Sequence, residues 1–178
     1  MVPVDDRERS ELFEHTVLPH LDSAYNLARW LAGNDQDAQD VAQEASLRAF
    51  KYFGGFRGNN PRAWLLSIVR NTFYTWLRKN RPPEGTVEID DQTLEIEDSA
   101  NAEAANPRFA DADAVRRAIA DLPVEFREIV ILREMEGFSY KEIAELAELP
   151  MGTVMSRLAR ARKLLQKSLT AAFNPGDQ

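Results

Sequence analysis

Between Met151 and Ser168 the charged side chains are Arg157, Arg160, Arg162, Lys163 and Lys167, and none is acidic. Cations without interspersed carboxylates suit contact with a phosphate backbone. Helical periodicity gives the run a face. With Val154 at zero and ~100° per residue, Leu158, Ala161 and Leu165 fall within about 40° of it and form a stripe to bury. Ser156, Ala159, Arg160 and Lys163 then point away, with Thr153 and Met155 on the flanks. Thr153 and the amides of the first turn suit a phosphate. Ser156 and Arg160 have the reach and donors for base edges. Arg157, Arg162 and Lys163 are better placed for backbone phosphates. The alternative is a solvated basic helix on the outside of a bundle.

A second basic stretch lies earlier. Arg57, Arg62, Arg70, Arg78, Lys79 and Arg81 are the only charged residues between 54 and 81, and they are mixed with Phe56, Trp64, Phe73, Tyr74 and Trp76. Rings among cations suit single-stranded nucleic acid, whose bases leave the stack and settle on aromatic faces or in pockets. The segment Phe56-Arg57-Gly58-Asn59-Asn60 concentrates amides and backbone groups at one tip, the chemistry needed to read an exposed base edge. Some rings have a second reading. Trp76 falls on the apolar face and reads as core, Trp64 lies at its edge, and Phe56 serves equally well as a plug for the loop. Arg70, Tyr74 and Arg78 share the opposite face and are the better surface candidates.

Catalysis finds no support in the residue types. His15 and His20 are five apart, off the i, i+4 spacing of a helical metal pair. Asp35, Asp37 and Asp40 read as helix-start residues. No phosphate-cradling glycine loop and no nucleophile–base pair is suggested, and no cofactor is expected.

These surfaces sit in an acidic chain. The 178 residues carry 29 acids against 22 Lys and Arg, a net charge of -7. That total disfavours a general nucleic-acid binder, so the layout of charge matters more than its sum. Cysteine is absent, which fits a reducing compartment. The first residues, MVPVDDRERSE, lack the apolar core of a signal peptide. No apolar run approaches the ~20 residues that cross a bilayer. A cytoplasmic protein without membrane insertion is expected.

The elements that must position the two surfaces read as all-α. Residues 82–113 hold ten acids and a single cation, Arg108, with no persistent stripe, and read as an acidic linker. It separates a domain at 10–81 from one at 114–173. The first reads as three helices. The opening one carries Leu12, Phe13, Val17, Leu21, Ala24, Tyr25, Ala28 and Leu31, with Pro19 able to bend or split it. The middle one, DAQDVAQEASLRAFKYF, offers Val41, Ala42, Ala45 and Ala49 for packing, with Leu47 on another side. Its Asp40, Gln43, Glu44, Arg48 and Lys51 make a mixed polar surface that fits a protein interface or a solvated face. Pro61 opens the third helix, through Leu65, Ile68, Val69, Thr72 and Trp76. The second domain reads as four short helices. Asp121 is expected to cap the second of them and Gly137 to end it. Ser139 and Glu142 form a capping box for the third. Leu149-Pro150-Met151-Gly152 then turns the chain into the basic helix. Two helices joined by a tight turn, the second amphipathic and basic, have helix-turn-helix geometry.

In order, DAQDVAQEASLRAF, FRGNNPRAWLLSIVRN and LPVEFREIVILREMEGFSYKEIAELAELPMGTVMSRLARAR resemble the signatures of bacterial RNA polymerase sigma factors of the extracytoplasmic-function group. The resemblance spans roughly 10–81 and 114–170. It implies that the first domain is sigma region 2, with Asp40, Gln43, Glu44 and Arg48 docking on the clamp coiled coil of the polymerase beta-prime subunit. Phe56, Arg57, Gly58, Asn59 and Asn60 would capture a flipped non-template base of the minus-10 element, and Arg62 and Asn71 would help open and hold the DNA. The second domain would be region 4. Its last helix would read the minus-35 element through Thr153, Ser156, Arg157, Arg160, Arg162 and Lys163, and its earlier helices would meet the beta flap. The linker would follow an RNA-like path through the positive channels of the enzyme. An anti-sigma factor is an implied partner, and the free chain is expected to be monomeric. Met155 departs from the family's usual Lys or Arg, and Ala159 from a larger side chain. A stand-alone helix-turn-helix regulator would explain 139–168 but not the basic-aromatic stretch at 54–81.

Overall fold

The computed structural model describes residues 5–80 and 109–173. The stretch expected as linker lies outside the described residues up to residue 108. The described residues are almost wholly helical and contain no strand. The helices are α1 (Asp6–Val17), α2 (Leu21–Ala32), α3 (Asp35–Tyr52), α4 (Pro61–Asn80), α5 (Phe109–Ala120), α6 (Val124–Val130), α7 (Tyr140–Ala147) and α8 (Met151–Phe173). The chain divides into two compact units.

In the first unit α2, α3 and α4 pack on one another and α1 lies against α4. The composition of α3 sets the closeness of that packing. Ala38, Val41, Ala45 and Ala49 make its buried stripe, and small side chains let neighbouring backbones approach. Leu47, out of phase with that stripe, is 62% exposed. Gly33 closes α2 at φ 82°, where its amide donates to the Arg29 carbonyl; a residue without Cβ adopts this left-handed turn at least cost. Asn34 then caps α3, its side-chain oxygen accepting from the Asp37 amide at 2.9 Å.

The continuous stripe expected through residues 12–31 is broken. Leu18–His20 forms a 3-10 turn around Pro19. Each 3-10 residue advances ~120°, so three of them shift the phase by about 60°. Tyr25 is exposed as a result, while Leu27 is buried; Leu12, five residues before Val17 and so about 140° from it on α1, is exposed as well. In α4 the buried set is Leu65, Leu66, Val69, Thr72 and Phe73. Phe73 therefore belongs to the core and not to the ring-bearing surface. Trp76, expected in the core, is half-buried and stacks on Phe73 with centroids 6.1 Å apart.

In the second unit α5 and α6 pack against α8. Residues 129–132 are buried without interruption, because α6 runs on into a π-helical turn over Ile131–Met135. Gly137 ends this segment at φ 74°, and the next amide, that of Phe138, reaches back six residues to the Leu132 carbonyl at 3.0 Å, one residue further than in a Schellman cap. Asp121 does not cap α6. Pro123 occupies the N-cap, its carbonyl accepting from Phe126 and Arg127, while the Asp121 amide bonds back to Arg117. The expected capping box is present: the Ser139 amide donates to Glu142 Oε2 at 2.8 Å and the Glu142 amide to Ser139 Oγ at 3.2 Å.

Candidate nucleic-acid interfaces

The turn between α7 and α8 is built differently from its sequence reading. Glu148 carries the left-handed backbone, at φ 54°, and the Leu149 amide returns to the Ala144 carbonyl. Pro150 receives the Thr153 and Val154 amides, so α8 starts at Met151 and Gly152 lies inside its first turn. At 23 residues α8 is long, where a short helix was expected. Its stripe is as drawn for Val154, Leu158 and Ala161, all buried; Leu165 is half-buried.

Burial of that stripe fixes what the other face offers. Lys163 is exposed, and Thr153, Ser156, Arg157 and Arg160 are half-buried. Ser156 Oγ donates to the Thr153 carbonyl at 3.1 Å, which leaves its lone pairs as acceptors. The Arg157 Nε is enclosed, so this side chain emerges from the packed side of α8. Arg162 is engaged with Glu134 of the π-helical turn at 3.0 Å. Both partners are largely exposed, and such a pair contributes about 0–1 kcal/mol, so a phosphate could displace Glu134 cheaply. Met151 and Met155 are exposed beside these cations.

The loop at 56–60 is held by its own side chains. Phe53–Gly55 forms a 3-10 turn after α3. Phe56 packs on Trp64 with centroids 5.0 Å apart, and on Phe53 at 6.2 Å and 15°. Arg57 folds back, its Nη1 donating to the Gly54 carbonyl at 2.7 Å and to the Phe56 carbonyl at 2.9 Å. A Cβ on Gly58 would meet the Phe56 ring at 3.2 Å. Asn60 caps α4, its Oδ1 accepting from the Ala63 amide at 2.9 Å. Within the loop, then, Phe56, Arg57 and Asn60 give the shape, and Asn59 with the amide end of Asn60 faces outward.

Arg62 sits one step into α4 and donates weakly to Ser23 Oγ, at 3.4 Å. Asn71 follows nine positions later on a regular helix, which at ~100° per residue puts it on the opposite side from Arg62. The two are not brought together. Asn71 instead shares a face with Thr75, whose hydroxyl donates to the Asn71 carbonyl, and with Arg78. Arg70 lies over the Tyr74 ring at 4.8 Å.

Asp40, Gln43 and Glu44 are exposed along one side of α3, where Arg48 pairs with Glu44 at 2.7 Å. Glu44, Leu47, Arg48, Lys51 and Tyr52 line a shallow depression there. Leu47 and the 58% exposed Tyr52 are the members that the sequence reading did not assign to this surface; the phase of Leu47 against the alanine stripe was the available signal. An apolar patch ringed by charges is a common form of protein-docking surface.

The chain matches the family model for sigma-70 region 2 over residues 16–82 and that for sigma-70, region 4, over residues 112–165. It is 36% identical over 165 residues to the RNA polymerase sigma-H factor of Pseudomonas aeruginosa, covering 88% of this chain and 86% of the relative. It is 35% identical over 141 residues to the ECF RNA polymerase sigma-E factor of Escherichia coli, covering 75% of this chain and 74% of the relative. Among solved structures it resembles the sigma factor RpoE of Bartonella quintana, crystallised with the anti-sigma factor NepR, with a TM-score of 0.69, 31% identity and coverage of 89% of this chain and 96% of that one.

Proposed function

The chain belongs to the extracytoplasmic-function group of the sigma-70 family of RNA polymerase sigma factors, and from that premise we propose that it reads a promoter at two points. The unit at 114–173, as region 4, lays α8 in the major groove of the paired minus-35 element. Arg160 and Ser156 address base edges there. Thr153, Arg162 and Lys163 hold phosphates, with Arg157 at the packed edge of the same surface. The unit at 10–81, as region 2, takes an unpaired non-template base of the minus-10 element against the 56–60 loop, and Arg62 and Asn71 hold the opened strand on two sides of α4.

The observation that carries this reading is the pairing of a capped helix-turn-helix with an acid-free second helix whose apolar stripe is buried. That arrangement leaves one polar face, and the face is cationic. The exposed side of α3, with Asp40, Gln43, Glu44 and Arg48, is assigned to the clamp coiled coil of the beta-prime subunit, and the helices before α8 to the beta flap. The acidic segment at 82–113 is assigned to the positive channels of the polymerase, where its charge is complementary. The Bartonella relative's complex with NepR supports an anti-sigma factor as a further partner. We assign the chain to the cytoplasm, as a monomer when free and without catalysis of its own. No helix among the described residues is long and apolar enough to cross a membrane.

The test is run-off transcription by core polymerase over a promoter library, with and without the chain. Enrichment of two short elements at the spacing of minus-35 and minus-10 is the expected result. Specific duplex binding without any gain in initiation would instead favour a stand-alone regulator.

A further inference from the structure

α1 carries two side chains with no part in the surfaces above. Arg9 stands just before the residue at which the first domain was expected to begin, and its Nη2 donates to the Phe50 carbonyl at 2.8 Å and the Lys51 carbonyl at 3.0 Å. These are among the last carbonyls of α3, at its negative dipole end, and that of Phe50 also accepts the Phe53 amide. The same guanidinium lies 5.4 Å from the Phe50 ring. Four residues on, and so on the same side of α1, Phe13 meets Phe50 edge-on at 5.2 Å and Phe53 edge-on at 5.3 Å. Phe53 is buried and stacks on Phe56, and Phe56 packs on Trp64. A cation and a line of rings therefore run without a break from α1 to the loop at 56–60.

Each link has a physical reason to be stiff. A charged donor on two helix-end carbonyls makes stronger bonds than a neutral one. Edge-to-face rings have a preferred geometry as well as buried area. The 3-10 turn at Phe53–Gly55 is short and held by few bonds of its own, so the pose of Phe53 decides where Phe56 and the exposed Asn59 stand.

We propose that α1 is a strut for the base-capturing loop, with Arg9 and Phe13 as positioning residues for promoter opening. This rests on the reading that the 56–60 loop faces unpaired DNA. The full chain is compared with Arg9→Ala and Arg9→Lys, the second keeping the charge at the helix end but not the planar guanidinium. Amide hydrogen exchange is read by NMR at Phe53 and Phe56, whose amides bond to the Phe50 and Phe53 carbonyls. The opening rate is read from preformed closed complexes with core polymerase, so that polymerase affinity drops out. In Arg9→Ala, exchange at these two amides should rise about tenfold, with amides in the middle of α3 unchanged and opening slowed by a similar factor. Arg9→Lys, which keeps the charge, should restore part of both. Unchanged exchange at Phe53 and Phe56, or a uniform rise over α3 and α4, would overturn the strut. Faster exchange with normal opening would overturn its role in opening, and Asn59→Ala then locates the fault. If Asn59→Ala also opens normally, the DNA-facing reading of the loop has failed; if it opens slowly, that reading stands and the strut alone is wrong.

Discussion

The two surfaces proposed to face DNA hold their polar groups in opposite ways. On α8 the shape comes from the far side of the helix: Val154, Leu158 and Ala161 are buried, and regular backbone bonding does the rest. The outer side chains lie on the surface of the helix, and the ion pair of Arg162 with Glu134 is exposed and readily exchanged. The loop at 56–60 has no regular backbone to rely on. Phe56, Arg57 and Asn60 make its shape through ring packing, a fold-back to two carbonyls and a helix cap. In the proposed reading, the surface for a regular duplex is thus presented by a helix. The surface proposed for a single irregular base has most of its own side chains occupied in holding still.

That contrast can be broken at several points. The largest effect is expected from Leu158→Ala, which removes the anchor of α8 and should cost about 2–5 kcal/mol of stability in the second unit. Calorimetry should find the first unit's transition in place, and minus-35 binding should weaken on every sequence alike. Arg160→Ala should cost about 1–3 kcal/mol of discrimination between promoters, read from competition between two minus-35 sequences. Lys163→Ala should weaken all sequences equally and lower the salt slope by about 1. If Arg160→Ala behaved like Lys163→Ala, α8 would only hold phosphates.

In the loop, Asn60→Ala should lose about 1 kcal/mol of stability with the cap and open promoters slowly. Asn60→Ser keeps a cap but not the amide. Slow opening by Asn60→Ser at normal thermal stability is expected if the amide reads a base; full recovery would reduce Asn60 to a cap. The smallest effect belongs to Glu134→Gln. Freeing Arg162 from a pair that contributes about 0–1 kcal/mol should raise duplex affinity of the holoenzyme by a few-fold at most, with unchanged base preference.

Much of the helical frame was legible because it rests on periodicity. The stripe of α8, the small residues of α3 and the Ser139–Glu142 box each follow from spacing alone. What was missed has in common a local event that periodicity does not register. Pro19 inserts a 3-10 turn that rotates α2 against α1, so Tyr25 came out exposed and Leu27 buried. Glu148 takes the left-handed conformation at the turn, one residue before the Leu149–Gly152 stretch that the sequence suggested as turning the chain. Glu128, wholly buried within α6, is a lone acid in an apolar run and gives no periodic signal. Arg9 acts on carbonyls 41 and 42 residues away, a contact that only the tertiary fold creates. In the site, residue types pointed to both surfaces. They did not separate the loop residues that make its shape from those that face outward, because that division is set by which hydrogen bonds close inside the loop.

The central claim is that one surface meets paired strands and the other a strand drawn out of the helix. Site-specific photocrosslinking from positions 59 and 160, in open complexes with core polymerase, tests it most directly. Position 160 should label duplex DNA upstream, and position 59 the unpaired non-template strand, the latter only after opening. Label from position 59 on double-stranded DNA, or none at all in a complex shown to be open, would contradict the account.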